Sequence, residues 1–170
     1  MKTNETQNAI FHRTSIRQFE DRAVEPEKIE QILRAAMQAP TAGNQQSWEF
    51  YVVTNSDKLE QLSKTSPYAG CAANAPTAIV VAYKDGGIFP DYNDIDCAIA
   101  AEHIWLAADA LGLGTVMLGI APLQERMQAV EQVLEMPSDV HAFTIFPIGY
   151  PEKVNSQQNR YDESKVHFVK

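Results

Sequence analysis

Basic residues are scarce in this chain. Its 170 residues hold 14 Lys and Arg against 22 Asp and Glu, a net charge of −8. Such a balance disfavours nucleic acid as a partner, because nucleic acid rewards broad basic surfaces. It leaves room for an anionic small molecule held by a local basic pocket. Cysteine is scarcer still: Cys71 and Cys97 are the whole complement, too few for the disulfide framework of a small secreted domain. Each reads as a small apolar packing residue, with a reactive thiol as the alternative. No apolar run approaches the roughly 20 residues that a membrane-spanning helix needs. Residues 1–7 are polar and hold no apolar signal segment. The expectation is a soluble, cytoplasmic protein with neither membrane nor nucleic-acid partners.

Several chemical motifs are also missing. Gly112-Leu113-Gly114 invites a dinucleotide reading, but the third glycine of G-x-G-x-x-G falls on Met117. A helix, not a strand, precedes the first glycine, so the fingerprint fails. There is no G-x-x-x-x-G-K phosphate loop and no G-x-S-x-G nucleophile elbow. His12, His103, His141 and His167 have no metal spacing with each other or with the cysteines, so no metal is expected. No carboxylate pair stands out. An enzyme built this way needs a cofactor to carry its chemistry.

What is present is a regular alternation of apolar patterns without repeats, low-complexity tracts or an internal linker, consistent with one domain over 1–170. Helices are expected over 8–16, from Pro26 to the Ala39-Pro40 stop, over 57–64 capped by Ser56 or Asp57, over 93–111, and over 123–134. Strands are expected over 48–53, 77–83, 115–119 and 142–150, with a last one over 166–169. The unbroken apolar run 77–83 marks a central strand buried on both faces. The alanine-rich helix 93–111 has apolar residues on several sides, as a core or interface helix does, and Gly112 reads as its C-terminal cap. Helices and strands mix without a βαβ rhythm, so the class is α+β.

Against the acidic average, His12-Arg13-Thr14-Ser15-Ile16-Arg17 is a basic cluster with two hydroxyls. On a helix, Arg13 and Arg17 would share a face, one turn apart. Guanidinium forks match phosphate oxygens, and hydroxyls add donors. Taken alone, the segment is also an ordinary exposed helix. The polar loop 40–46, the glycine-flanked 114–119 and Arg160 follow in order.

In that order the chain resembles the nitroreductase family of FMN-dependent oxidoreductases. "RTSIRQF" looks like the family's R-x-S-x-R-x-F opening, and "APTAGNQQSWEF" looks like its A-P-S-x-x-N-x-Q-P-W-x-F segment. "LGLGTVMLG" looks like its glycine-rich flavin-edge segment, and "IGYPEK…NR" like its ending. The likeness runs from about Ile10 to Arg160 and departs at Ser47, where proline is usual, which puts loop rigidity in doubt.

The resemblance implies an α+β fold with a central, mostly antiparallel sheet flanked by helices. It implies FMN as cofactor and NADH or NADPH as co-substrate. It also implies a homodimer with FMN at the subunit interface, and a C-terminal tail, about 151–170, that crosses to the partner. Arg13, Thr14, Ser15 and Arg160 would hold the phosphate, and Arg17 would lie by the N1–C2=O edge of the flavin. Pro40, Thr41, Ala42 and Asn44 would approach from the partner subunit. Met117, Leu118 and Gly119 would line the other side of the ring. The implied reaction passes reducing equivalents from NAD(P)H through the flavin to a nitroaromatic, quinone or similar electron-poor acceptor. Dehalogenation, flavin fragmentation, azoline oxidation and non-enzymatic FMN binding are alternatives on the same fold.

Overall fold

A computed structural model describes residues 4–153, 155–157 and 159–170. Met1–Thr3 lie outside the described residues, as do Val154 and Gln158 of the expected tail.

The strands are β1 (Trp48–Val53), β2 (Thr77–Lys84), β3 (Gly114–Thr115), β4 (Leu118–Gly119) and β5 (Val140–Gly149). They form one sheet in the order β1-β2-β5-β3, with β4 also paired to β5, and every strand pairing is antiparallel. The helices are α1 (Glu5–His12), α2 (Pro26–Ala36), α3 (Ser56–Leu62), α4 (Asn93–Ala110) and α5 (Gln124–Leu134).

Strand β2 explains the layering. Side chains alternate across a sheet with period two. Ile79 and Val81 pack on one face with Ile32, Ala36, Cys97, Ala101 and Ile104 from α2 and α4. Ala78 and Val80 pack on the other with Leu59 and Leu62 of α3 and Met127 and Val130 of α5. The run is apolar throughout because both faces are covered, as expected. The α+β class and the antiparallel sheet between helical layers also hold.

Two helix termini show how the sequence sets boundaries. Gly112 has a φ of 73° just beyond α4, and Leu113 N–H returns to the Ala108 carbonyl at 2.9 Å, the left-handed helix end expected there. Asn55, not Ser56 or Asp57, caps α3: its side chain accepts from Lys58 N–H at 2.9 Å.

Two expectations fail. Helix α1 ends at His12 rather than near residue 16, because Arg13 turns out at φ −51° and ψ 124°. The chain beyond it docks on the sheet edge: Ile16 N–H donates to the Thr115 carbonyl at 2.9 Å, and Ile16 and Phe19 are buried. Burying two large apolar side chains outweighs the weak helix preference of the stretch. Residues 166–169 form no strand, and Phe168 and Val169 are 85% and 98% exposed. Among the described residues no helix is long and apolar enough to cross a membrane.

Candidate functional site

The basic cluster is the junction between α1, α4 and the sheet edge. Glu102, Trp105 and Asp109 recur at helical spacing on one face of α4, and each meets the cluster. Asp109 lies 2.9 Å from His12 Nδ1. The Arg13 guanidinium carbon stands 4.0 Å from the centre of the Trp105 ring, and Arg13 Nε is 3.9 Å from Glu102 Oε1. Trp105 Nε1–H also donates to the Thr14 carbonyl, at 3.4 Å. Ser15 forms a β-bridge to Thr115, and its carbonyl accepts from Asn155 Nδ2–H at 3.0 Å. The stretch from Arg13 to Ile16 is therefore fixed from both sides.

Arg13 opens into a cavity of about 680 Å³ that is also lined by Ile10, Phe11, Glu102, Arg160 and Tyr161. That volume falls within the roughly 300–1,000 Å³ of small-molecule sites. Arg13 and Arg160, 147 residues apart in the sequence, thus meet on one concave wall. Two guanidinium groups with neighbouring amide side chains of Gln157 and Asn159 make a donor set suited to a phosphate.

Arg17 does not join them. The chain is extended beyond α1, so four residues cover roughly 13 Å instead of one helical turn. Arg17 lines a second cavity of about 500 Å³ with Phe19, Asn74 and Glu152. The shared helical face expected for Arg13 and Arg17 is therefore replaced by two separate cavities.

The segment 40–46 lines neither cavity. It is tightly held nevertheless. Asp96, 2% exposed, accepts from Ala42 N–H at 2.9 Å and from Gln45 Nε2–H at 2.6 Å. Thr41 Oγ1 accepts from Gln46 N–H at 3.1 Å. Ser47 Oγ donates to Asn93 Oδ1 at 2.7 Å, an anchor at the position where proline was expected. Met117 packs against one core cluster and Leu118 is buried in the other. Only the main chain of Leu118 is left for a ligand, and its carbonyl already accepts from Thr144 Oγ1 at 2.6 Å. Gly119 is exposed, and its carbonyl accepts from Arg126 Nη1–H at 2.9 Å.

The family model for the nitroreductase family matches residues 10–66 and 64–150. The chain belongs to the nitroreductase family. A protein of Methanothermobacter thermautotrophicus, provisionally named an NADH dehydrogenase/NAD(P)H nitroreductase, is 37% identical over 164 residues, covering 95% of this chain and 85% of that protein. The crystal structure of a Bacteroides thetaiotaomicron protein with the same provisional name is 35% identical, with a TM-score of 0.94 and 98% of both chains covered. An FMN-dependent nitroreductase from Clostridium difficile is 32% identical, with a TM-score of 0.90, and the match covers 96% of this chain and 99% of that one.

Within this nitroreductase-family chain, the Tyr150 motif is structural. Tyr150 Oη–H donates to Glu25 Oε2 at 2.7 Å, Lys28 Nζ donates to Tyr150 Oη at 2.9 Å, and Arg22 stacks 3.6 Å from the ring centre. The tyrosine hydroxyl above all holds the Glu25 carboxyl below the usual range. The Asp96 and Trp105 contacts were not foreseen from sequence. An acid and an aromatic on an apolar helix are the only local hints of them.

Proposed function

We propose that this chain is an FMN-dependent oxidoreductase that uses NADH or NADPH to reduce a nitroaromatic, quinone or similar electron-poor acceptor. The observation that carries the reading is the convergence of Arg13 and Arg160 on one cavity beside the anchored Thr14–Ser15 main chain. A 32% identical protein of the same fold bears the name FMN-dependent nitroreductase, and the four motifs occur in order.

When bound, FMN would supply the redox chemistry that links a nicotinamide to an electron-poor acceptor. The chain binds and orients. Arg13 and Arg160 grip the phosphate, with Thr14 and Ser15 adding main-chain or hydroxyl contacts. Arg17, in its separate cavity, places positive charge where the reduced ring becomes anionic. Gly119 and the main chain of Leu118, with Met117, border the ring.

The reading includes a homodimer of single-domain chains. Pro40, Thr41, Ala42 and Asn44 then approach the partner's cofactor, and the tail 151–170 crosses to the partner. The half-exposed Ile10, Phe11 and Ile95 and the bare Phe168 and Val169 support it, since apolar side chains in such number suit a covered surface.

The test begins with an absorption spectrum of the purified protein. A colourless protein that takes up no added FMN would sink the proposal. Anaerobic stopped-flow with NADH and NADPH then follows flavin bleaching. A flavin that neither nucleotide reduces would move the chain to one of the other chemistries of the fold.

A further inference from the structure

The Arg13 side chain is only 15% exposed, yet its nearest carboxylate is not in close contact. A mostly buried cation must be compensated, and a stacked aromatic face together with a nearby anion can do so. Helix α4 supplies both from adjacent turns. Trp105 faces the guanidinium at 4.0 Å, and Glu102 stands 3.9 Å from its Nε.

The two are not equivalent. Trp105 is itself fixed: its ring meets Phe146 edge-on, with centroids 6.0 Å apart at 73°, and its Nε1–H reaches the Thr14 carbonyl. It is a rigid platform under Arg13. Glu102 is 52% exposed and lines the same cavity as Arg13 and Arg160. It is the acidic group among the described residues of that wall. A phosphate arriving at Arg13 therefore meets a neighbouring negative charge that already attracts the same guanidinium.

We propose that Trp105 and Glu102 set the affinity for the phosphate end of the cofactor in opposite senses. Trp105 is a positioning residue that holds Arg13 ready for phosphate, and Glu102 is a competing counter-charge that weakens phosphate binding. This rests on the FMN reading above. Loading the cavity exchanges one anionic partner of Arg13 for another of higher charge. Glu102 remains on the wall as a repulsive neighbour, shared with solvent.

The test compares FMN with riboflavin, which carries the same ring and ribityl chain without the phosphate. Dissociation constants for both flavins are measured by fluorescence titration of the full chain after flavin removal. Glu102→Gln should tighten FMN by roughly three- to fivefold. Trp105→Leu should weaken it by about five- to tenfold, and Trp105→Phe, which keeps a ring face, should restore most of the loss. Riboflavin affinity should stay within about twofold in all three, because no phosphate is involved.

Glu102→Gln with unchanged or weaker FMN binding overturns the proposal. So does Trp105→Leu weakening FMN and riboflavin by the same factor, the mark of a merely structural role. Wild-type protein that binds neither flavin overturns the FMN reading itself, and this inference with it. Normal FMN binding in the wild type with no opposed response in the variants overturns this inference alone.

Discussion

Gly114 lies so close to Ile16 that no methyl group fits between them. A Cβ at Gly114 would stand 2.6 Å from Ile16 Cγ2 and 2.8 Å from Ile16 Cβ. The second of these atoms sits at the backbone and cannot rotate away. The contact ties β3 to the segment that carries Ser15 and Arg17. Gly114→Ala should push that segment off the sheet edge. Overpacking of this kind typically costs about 1–3 kcal/mol, and FMN affinity should fall with it. Urea denaturation and flavin titration check the two effects. A variant with wild-type stability and flavin content would contradict the close approach.

The two cavities give Arg13 and Arg17 different expected phenotypes. Arg13→Ala should lower FMN affinity tenfold or more, since a charge-assisted contact contributes about 1.5–3 kcal/mol. Its effect on riboflavin should be small. Arg17→Ala should weaken both flavins alike and lower the flavin reduction potential, because a positive charge near the ring favours its anionic reduced form. Equal responses of both variants to the two flavins would refute the division of roles.

Asp96 holds the 40–46 loop to α4 through two hydrogen bonds to a carboxylate that is almost wholly buried. Gly43, Asn44 and Gln46 have φ of 57°, 56° and 50°, a left-handed backbone that two non-glycine residues adopt only when the surroundings impose it. Asp96→Ala strands the Ala42 N–H, while Gln45 Nε2 keeps the Phe89 carbonyl at 3.1 Å, and should cost about 1–3 kcal/mol. If the loop serves the partner's site, flavin should be lost as well. Thermal unfolding together with the flavin-to-protein ratio separates the two. Unchanged stability would show that the loop is held by other contacts.

Much of this was legible in the sequence where apolar pattern decides structure. Strand 48–53 was bounded correctly, and 77–83 and 93–111 came within one residue at each end. These elements bury most of their pattern against the core, so local sequence and tertiary burial agree. Residues 13–16 were misread as helix because their path is set by Thr115, about a hundred residues away. No helical period could reveal that edge. Leu118 was given to the flavin side by the family resemblance, yet its side chain fills the core. The order of the motifs could not say which side chain faces a ligand. Trp105 and Glu102 went unread because a helix sequence does not show what docks against it.

Cys97 gives the chain a pH dependence on the alkaline side. The residue has no exposed surface, and its Sγ–H donates to the Ala82 carbonyl at 3.6 Å. Burial first, then the charges of Asp94 and Asp96, push the thiol far above its ordinary range. The unfolded chain therefore releases this proton near pH 8.5, while the folded chain keeps it. Above that point the unfolded state binds fewer protons, so stability falls as pH rises, by up to about 1.4 kcal/mol per pH unit for this group. Below it the contribution is constant. Cys97→Ala should lower stability overall by leaving a small void, yet flatten the decline between pH 8.5 and 10. Tyr51 and Tyr83, also raised by burial, depart from their unfolded titration only near pH 10 and above. Cys71, raised by burial against the opposing charge of Arg17, is common to both proteins. Urea midpoints at half-unit steps of pH, compared as slopes, isolate Cys97. Identical slopes would mean that the thiolate is accommodated in the folded core.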